Sequence, residues 1–152
     1  MSITELAPAK LNLTLDVGAR RPDGYHEITS VMQSAALYDV VTLETVETDD
    51  IVVECPGTDL PTGPDNLAWK AADVFFQETN ILHTGIFIRL EKKIPSQAGL
   101  GGGSSDAASV LRGMRRLFST NVSDEALEAM AARVGSDVPY CCLLYTSPSP
   151  RD

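Results

Sequence analysis

Between Pro95 and Ala108 the chain reads PSQAGLGGGSSDAA, and four glycines, Gly99, Gly101, Gly102 and Gly103, fall within five positions. Glycine lets a backbone turn through positive φ and come close to a ligand. The next residues, Ser104 and Ser105, are natural N-caps for the amphipathic helical pattern that follows. A helix start offers unpaired N–H groups and a positive dipole end. Together these features predict an anion cradle over Pro95, Ser96, Gln97, Ala98, Gly99, Leu100, Gly101, Gly102, Gly103, Ser104 and Ser105, suited to the phosphates of a nucleotide. No lysine follows Gly103, which excludes a Walker A loop, and Ser104 stands where a dinucleotide fingerprint needs glycine or alanine. A plain strand-to-helix turn needs one or two glycines rather than four.

Other residues with chemical potential are less specific alone. Asp137, in GSDVP (Gly135 to Pro139), follows a helix stop and reads first as an N-cap or turn aspartate, and second as a base aimed at a neighbouring site. Lys10 and Asn12 share the polar face of an alternating strand, where a lysine is ordinarily a solvated edge residue. Tyr25 and His26 follow an Asp-Gly turn and read first as packing; Tyr25 has a π-face for stacking, and His26 and Asn12 carry donors and acceptors.

Four segments occur in order: PAKLNL (Pro8 to Leu13), RPDGYHEI (Arg21 to Ile28), the glycine-rich stretch, and GSDVP. The glycine-rich stretch resembles the phosphate-binding loop of the GHMP kinase superfamily, which includes galactokinase, homoserine kinase and mevalonate kinase. The other three resemble, within it, the family of 4-diphosphocytidyl-2-C-methyl-D-erythritol kinases. The resemblance spans Ile3 to about Tyr140 and implies a ribosomal-protein-S5 domain-2-like nucleotide domain. It implies ATP as phosphoryl donor, with Mg2+, and as acceptor the 2-hydroxyl of a cytidine-diphosphate-linked polyol on the non-mevalonate route to isoprenoid (terpenoid) precursors. By resemblance Asp137 is the catalytic base and Lys10 the active-site lysine, and Asn12, Tyr25 and His26 hold the cytosine. A lysine about 4 Å from Asp137 would interact by ~4 kcal/mol at an effective dielectric of 20, enough to keep both groups charged. Ser104 or Ser105 could touch the magnesium, but no carboxylate trio marks a metal site and no ligand is assigned. The alternatives are another small-molecule kinase of the superfamily and a non-catalytic S5-like RNA-binding module.

The elements that must position these residues follow from hydrophobic periodicity. Leu11, Leu13, Leu15 and Val17 alternate with polar residues, as in a half-buried strand. Strands are also predicted at Ile28 to Leu37, Asp39 to Val46, Ile51 to Glu54, and through Ile86, Ile88 and Leu90. Asn66 caps a predicted helix carrying Leu67, Ala71, Val74 and Phe75. A second helix carries Ala107, Ala108, Leu111, Met114 and Phe118. A third is capped by Ser123, carries Leu127, Met130, Ala131 and Val134, and stops at Gly135. The fold class is α+β, with helices packed on a mainly antiparallel sheet.

The chain has 152 residues, 43% of them hydrophobic and 22% charged, which suits one domain with a sizeable core. A net charge of −9 argues against a general nucleic-acid binder, which needs a basic face, but not against ATP. Cys55, Cys141 and Cys142 have no metal-like spacing and predict a reducing compartment. No apolar run approaches the ~20 residues of a membrane span and no leader pattern opens the chain, so the expected location is cytoplasmic, with no membrane partner. Residues 1–141 are expected to form an incomplete N-terminal, ATP-binding domain. Residues 142–152, with Pro148 and Pro150, are expected to be a disordered tail resembling appended adapter sequence. The family's C-terminal domain is expected to be missing and the chain alone to be inactive and marginally folded.

Overall fold

The computed structural model describes residues 1–9, 38–94 and 102–146, with side chains at all of these except 102 and 143–146. Along the chain come β1 (Ser2–Pro8), β2 (Tyr38–Val46), β3 (Ile51–Glu54), α1 (Leu67–Thr79), β4 (Gly85–Glu91), α2 (Gly102–Leu117), α3 (Asp124–Val134) and α4 (Val138–Thr146). The strands form one sheet in the order β1-β2-β4-β3. β2 is antiparallel to both β1 and β4, and β3 runs parallel to β4. This is the expected α+β arrangement with a mainly antiparallel sheet.

Alternation decides which sheet face is covered. Val41 and Leu43 of β2 and Ile86, Ile88 and Leu90 of β4 are buried, and their period of two puts each set on one face. Onto these strands pack α1 and α2, which also pack against each other, while α3 and α4 add a further layer. Phe75, Leu111, Met114 and Leu127 complete the core. Each such side chain, fully buried, contributes about 1.5–3 kcal/mol of transfer free energy. Gly113 is the point of closest approach between α2 and the sheet: a Cβ there would collide with Leu43 and meet Glu5 Cγ at 3.3 Å.

Two helix starts form as expected. Asn66 Oδ1 accepts the Ala68 N–H at 2.8 Å, and Ser123 Oγ accepts that of Ala126 at 3.0 Å. Gly135 ends α3 as read, but in extended rather than left-handed backbone (φ −176). Three features differ from expectation. Ser2–Pro8 is a strand, although no strand was read there. α2 begins at Gly102, so Ser104 and Ser105 lie inside its first turn and do not cap it. Glycine is tolerated at that position because the first N–H groups have no partner within the helix to lose. Finally, α4 continues through Thr146, so the boundary read at 141/142 falls inside a helix. Val138, Cys141 and Cys142 recur at helical spacing and are all buried, and α4 packs on α2 and α3. Pro139 is accommodated in its first turn. The strands read at Leu11–Val17 and Ile28–Leu37 lie outside the described residues, as do residues 147–152.

Candidate functional site

The glycine-rich segment leads into the N-terminus of α2, a helix of 16 residues. Its first-turn N–H groups and dipole end face out of the helix where Gly103 is exposed. Among the described residues a Cβ at Gly103 would meet Leu67 Cδ1, at 3.6 Å, an ordinary van der Waals contact. Ser104 is half-buried and Ser105 is 2% exposed.

The GSDVP turn lies beside this helix start. A Cβ at Gly135 would stand 4.0 Å from Leu67 Cδ2. Leu67, at the first position of α1, is thus near both the start of α2 and the turn that carries Asp137. Asp137 itself is exposed, between the end of α3 and Val138, whose burial anchors the start of α4, and α4 packs on α2.

A third group of residues stands at the same end of the sheet. Ala7 pairs with Asp39 across β1 and β2, Val40 pairs with Glu91 across β2 and β4, and the next residue on β4's side is Lys92. Lys92 Nζ donates at 2.6 Å to Asp39 Oδ2 and at 2.6 Å to Asp106 Oδ2. Asp39 Oδ1 accepts the Lys93 N–H at 2.6 Å and the Ile94 N–H at 2.9 Å. All three side chains are within the protein, Lys92 at 8% exposure, Asp39 at 0% and Asp106 at 3%.

Burial sets the protonation pattern of this cluster. It pushes the Asp106 carboxyl well above the usual carboxylate range, and the neighbouring Asp39 adds to that push against the pull of Lys92. Burial also acts to raise Asp39, but hydrogen bonds from Asp106, Lys92 and the two backbone N–H groups outweigh it and hold Asp39 below its ordinary value. For Lys92, burial acts to lower the ammonium's pKa, and the carboxylates, Asp106 foremost, overcome it and raise it. These directions favour the ionised form of Asp39, the charged form of Lys92 and the protonated form of Asp106. Asp106 Oδ1 is buried with no hydrogen-bond partner among the described residues, a position less costly for a neutral carboxyl than for an ion.

Of the residues singled out by sequence, the described ones are Gly102, Gly103, Ser104 and Ser105 at the start of α2 and Asp137 in the turn before α4, two helices that pack on each other. Lys10, Asn12, Tyr25, His26 and the cradle residues Pro95, Ser96, Gln97, Ala98, Gly99, Leu100 and Gly101 lie outside the described residues. Ala9, the last described residue before Lys10, is buried, at 1% exposure. Asp39, Lys92 and Asp106 were not singled out by sequence. Their signal was phase: Asp39 is in register with Val41 and Leu43, Lys92 with Ile88 and Leu90, and Asp106 with Val110 and Met114, so all three charges occupy core-facing positions. Among the described residues no cluster of histidine, cysteine, aspartate and glutamate could hold a metal.

Residues 66–144 match the family model of the GHMP kinases N terminal domain, and the chain belongs to that family. Among curated proteins it is similar to the 4-diphosphocytidyl-2-C-methyl-D-erythritol kinase of Macrococcus caseolyticus, with 46% identity over 145 residues, covering 95% of this chain and 51% of that one. The enzyme of the same name from Clostridium beijerinckii is 46% identical over 135 residues, covering 89% and 48%. The chain spans about half the length of the curated relatives it matches. A crystal structure of 4-(cytidine 5'-diphospho)-2C-methyl-D-erythritol kinase superposes with a TM-score of 0.57 at 29% identity, over 93% of this chain and 49% of that one. Homoserine kinase from Cytophaga hutchinsonii superposes at 0.67 over 92% of this chain and 42% of that one, and at 17% identity it speaks for the fold alone.

Proposed function

We propose that this chain carries the ATP-binding half of a 4-diphosphocytidyl-2-C-methyl-D-erythritol kinase, which transfers the γ-phosphoryl group of ATP to the 2-hydroxyl of that substrate in the cytoplasm. The observation that supports this reading is the packing of α4, whose start follows the Asp137 turn, against α2, whose start follows the glycine-rich stretch. A helix start with free N–H groups and a carboxylate in the turn before a helix packed on it are the parts the reading needs. Phosphoryl transfer is mostly positioning and charge stabilisation, and asks for that pairing. The names of the relatives at 46% identity support the choice of acceptor.

In this reading the N–H groups at the start of α2 hold the phosphates, and Asp137 takes the proton of the acceptor hydroxyl. Lys10 keeps Asp137 ionised and stabilises the charge on the acceptor oxygen. Asn12, Tyr25 and His26 hold the cytidine. Mg2+ would travel with the nucleotide and neutralise phosphate charge; no carboxylate set among the described residues competes for it. The partners are small molecules, not nucleic acid. Among the described residues no helix is long and apolar enough to cross a membrane.

The test is a chimera in which residues 1–146, through the end of α4, replace the matching half of a curated relative. It is assayed with 4-diphosphocytidyl-2-C-methyl-D-erythritol, mevalonate and homoserine as competing acceptors. ATP-dependent phosphorylation of the first is expected. Preferred turnover of either of the others would overturn the assignment.

A further inference from the structure

Nothing in the proposed phosphoryl transfer uses Asp39, Lys92 or Asp106, yet together they occupy the place where the sheet meets α2. Lys92 directly follows β4, which ends at Glu91. Asp39 is the second residue of β2, and Asp106 lies in the second turn of α2, which opens at Gly102. One carboxylate oxygen of Asp39 fixes the N–H groups of Lys93 and Ile94 as the chain leaves the strand. The other binds Lys92, whose ammonium reaches across to Asp106 on the helix. The bonds therefore tie residues 92–94 to residue 106, the two flanks of segment 95–101.

We propose that Asp39, Lys92 and Asp106 are positioning residues that fix the start of α2 relative to the end of β4, and so fix where the helix presents its first-turn N–H groups. The inference rests on the reading that those groups receive phosphate. Stability alone is a poor reason for such a cluster, because replacing a buried ion pair by packed apolar residues is often neutral or stabilising. Geometry is a better one. The α2 residues that follow Asp106 are Ala107 and Ala108, both fully buried. Alanines pack closely but offer little to stop a helix sliding along its axis. Bonds of 2.6 Å from a single ammonium to two elements resist that slide directionally. A displacement of about 1 Å in a positioning element can cost ~10²-fold in a kinase-like site.

Two variants of the chain separate positioning from stability. Asp106→Ala cuts only the link to the helix and leaves Asp39 with Lys92 and its two N–H bonds. The triple variant Asp39→Asn, Lys92→Met, Asp106→Leu makes the site neutral while keeping an acceptor for Lys93 and Ile94. Amide hydrogen exchange is measured without nucleotide, and ATP affinity by calorimetry. In both variants the amides of Gly103 to Asp106 should exchange at least about tenfold faster, with β2 and β4 amides unchanged, and ATP affinity should fall by about 10–100-fold. Unchanged exchange at the start of α2 in Asp106→Ala would overturn the proposal, as would acceleration shared equally with the strands, which marks a merely structural role. If the unsubstituted chain binds no ATP, the phosphate reading fails, and the exchange pattern still decides whether the cluster positions the helix.

Discussion

Removing the Lys92 ammonium should destabilise the protein by an amount that grows with pH. Lys92→Met leaves Asp39 and Asp106 facing each other at 0% and 3% side-chain exposure with no cation between them. Breaking a buried ion pair from one side costs about 3–5 kcal/mol, because the remaining charge is uncompensated. Two features of the site temper that figure at low pH. Asp106 is already held toward its protonated form by burial, and Asp39 retains the N–H groups of Lys93 and Ile94.

The signs follow from the cited directions. In the unsubstituted protein Asp39 is held below its ordinary value, so its contribution is complete above an unfolded pKa of about 3.9 and is lost as pH falls through the folded value. Lys92 is raised, so its contribution is complete below about 10.4 and fades only as pH rises beyond that. Asp106 is raised and acts oppositely to Asp39: its contribution is complete below about 3.9 and declines as pH rises through its folded value. Without the ammonium, Asp39 loses its main counter-charge and its folded pKa also rises. The variant then sheds more stability with rising pH than the parent does. Urea unfolding should show a deficit of roughly 1 kcal/mol near about pH 4, reaching about 3–5 kcal/mol near about pH 8. With a urea slope of about 2 kcal/mol/M, the larger value moves the midpoint by about 1.5–2.5 M. A deficit that is flat across this range, or under about 1 kcal/mol at the upper end, would refute the ionisation pattern assigned to the cluster.

Glycines and the candidate base give further expectations. Gly85→Ala should cost about 3–5 kcal/mol by urea unfolding, because the new Cβ would meet the backbone oxygens of Thr48 and Asp50 and break the Ile86 N–H to Asp50 bond of 2.9 Å. Gly113→Ala should cost less, about 1–2 kcal/mol, since its obstacle is the end of the Leu43 side chain and helix propensity returns about 1 kcal/mol; the reverse order would contradict this account. Gly103→Ala should keep or slightly raise stability, by up to about 1 kcal/mol, yet weaken ATP binding by about tenfold, because a methyl fits beside Leu67 but crowds the approach to the backbone. Equal ATP affinity in calorimetry would remove Gly103 from the cradle. In the chimera, Asp137→Asn should lower turnover by about 10²-fold or more with ATP affinity nearly unchanged, and full turnover would dismiss it as the base.

Period-two alternation made β2, β3 and β4 legible, and capping chemistry at Asn66 and Ser123 placed two helix starts. β1 was not legible for a physical reason. Its inward positions are Ile3, Glu5 and Ala7, so a charge interrupts the apolar face, while Leu6 on the opposite face is exposed at 41%, and the alternation is broken. Glu5 is tolerated inside because Arg112 approaches it at 3.6 Å and Arg116 also pairs with it, and neither partner is predictable from the strand. The Asp39–Lys92–Asp106 cluster was encoded in phase but becomes meaningful only when three elements meet. A charge at one core-facing position looks like a strand end; three ionisable groups bonded through one ammonium define a site. Ser104 and Ser105 were read as caps because their residue type favours it, whereas the helix had already begun at Gly102.

Strand direction explains how residues far apart in sequence reach one end of this fold. β1 and β2 are antiparallel, so the C-terminal end of β1 lies beside the N-terminal end of β2, with Pro8 opposite Tyr38. β2 and β4 are antiparallel as well, so the C-terminal end of β4 lies on the other side, with Glu91 opposite Val40. The segment that begins at Ala9 and the segment that begins at Lys92 therefore leave the sheet at the same end, separated by the width of β2. One leads into Lys10 and Asn12, the other into the glycine-rich stretch. No contact between the two segments is needed to bring them to that end; pairing order alone does it. Asp39 sits between the two exits, at the first buried position of the strand they flank. An ionised carboxylate there, paired with a lysine from one exit that also binds Asp106 on α2, is therefore well placed to hold the start of α2 at that end of the sheet.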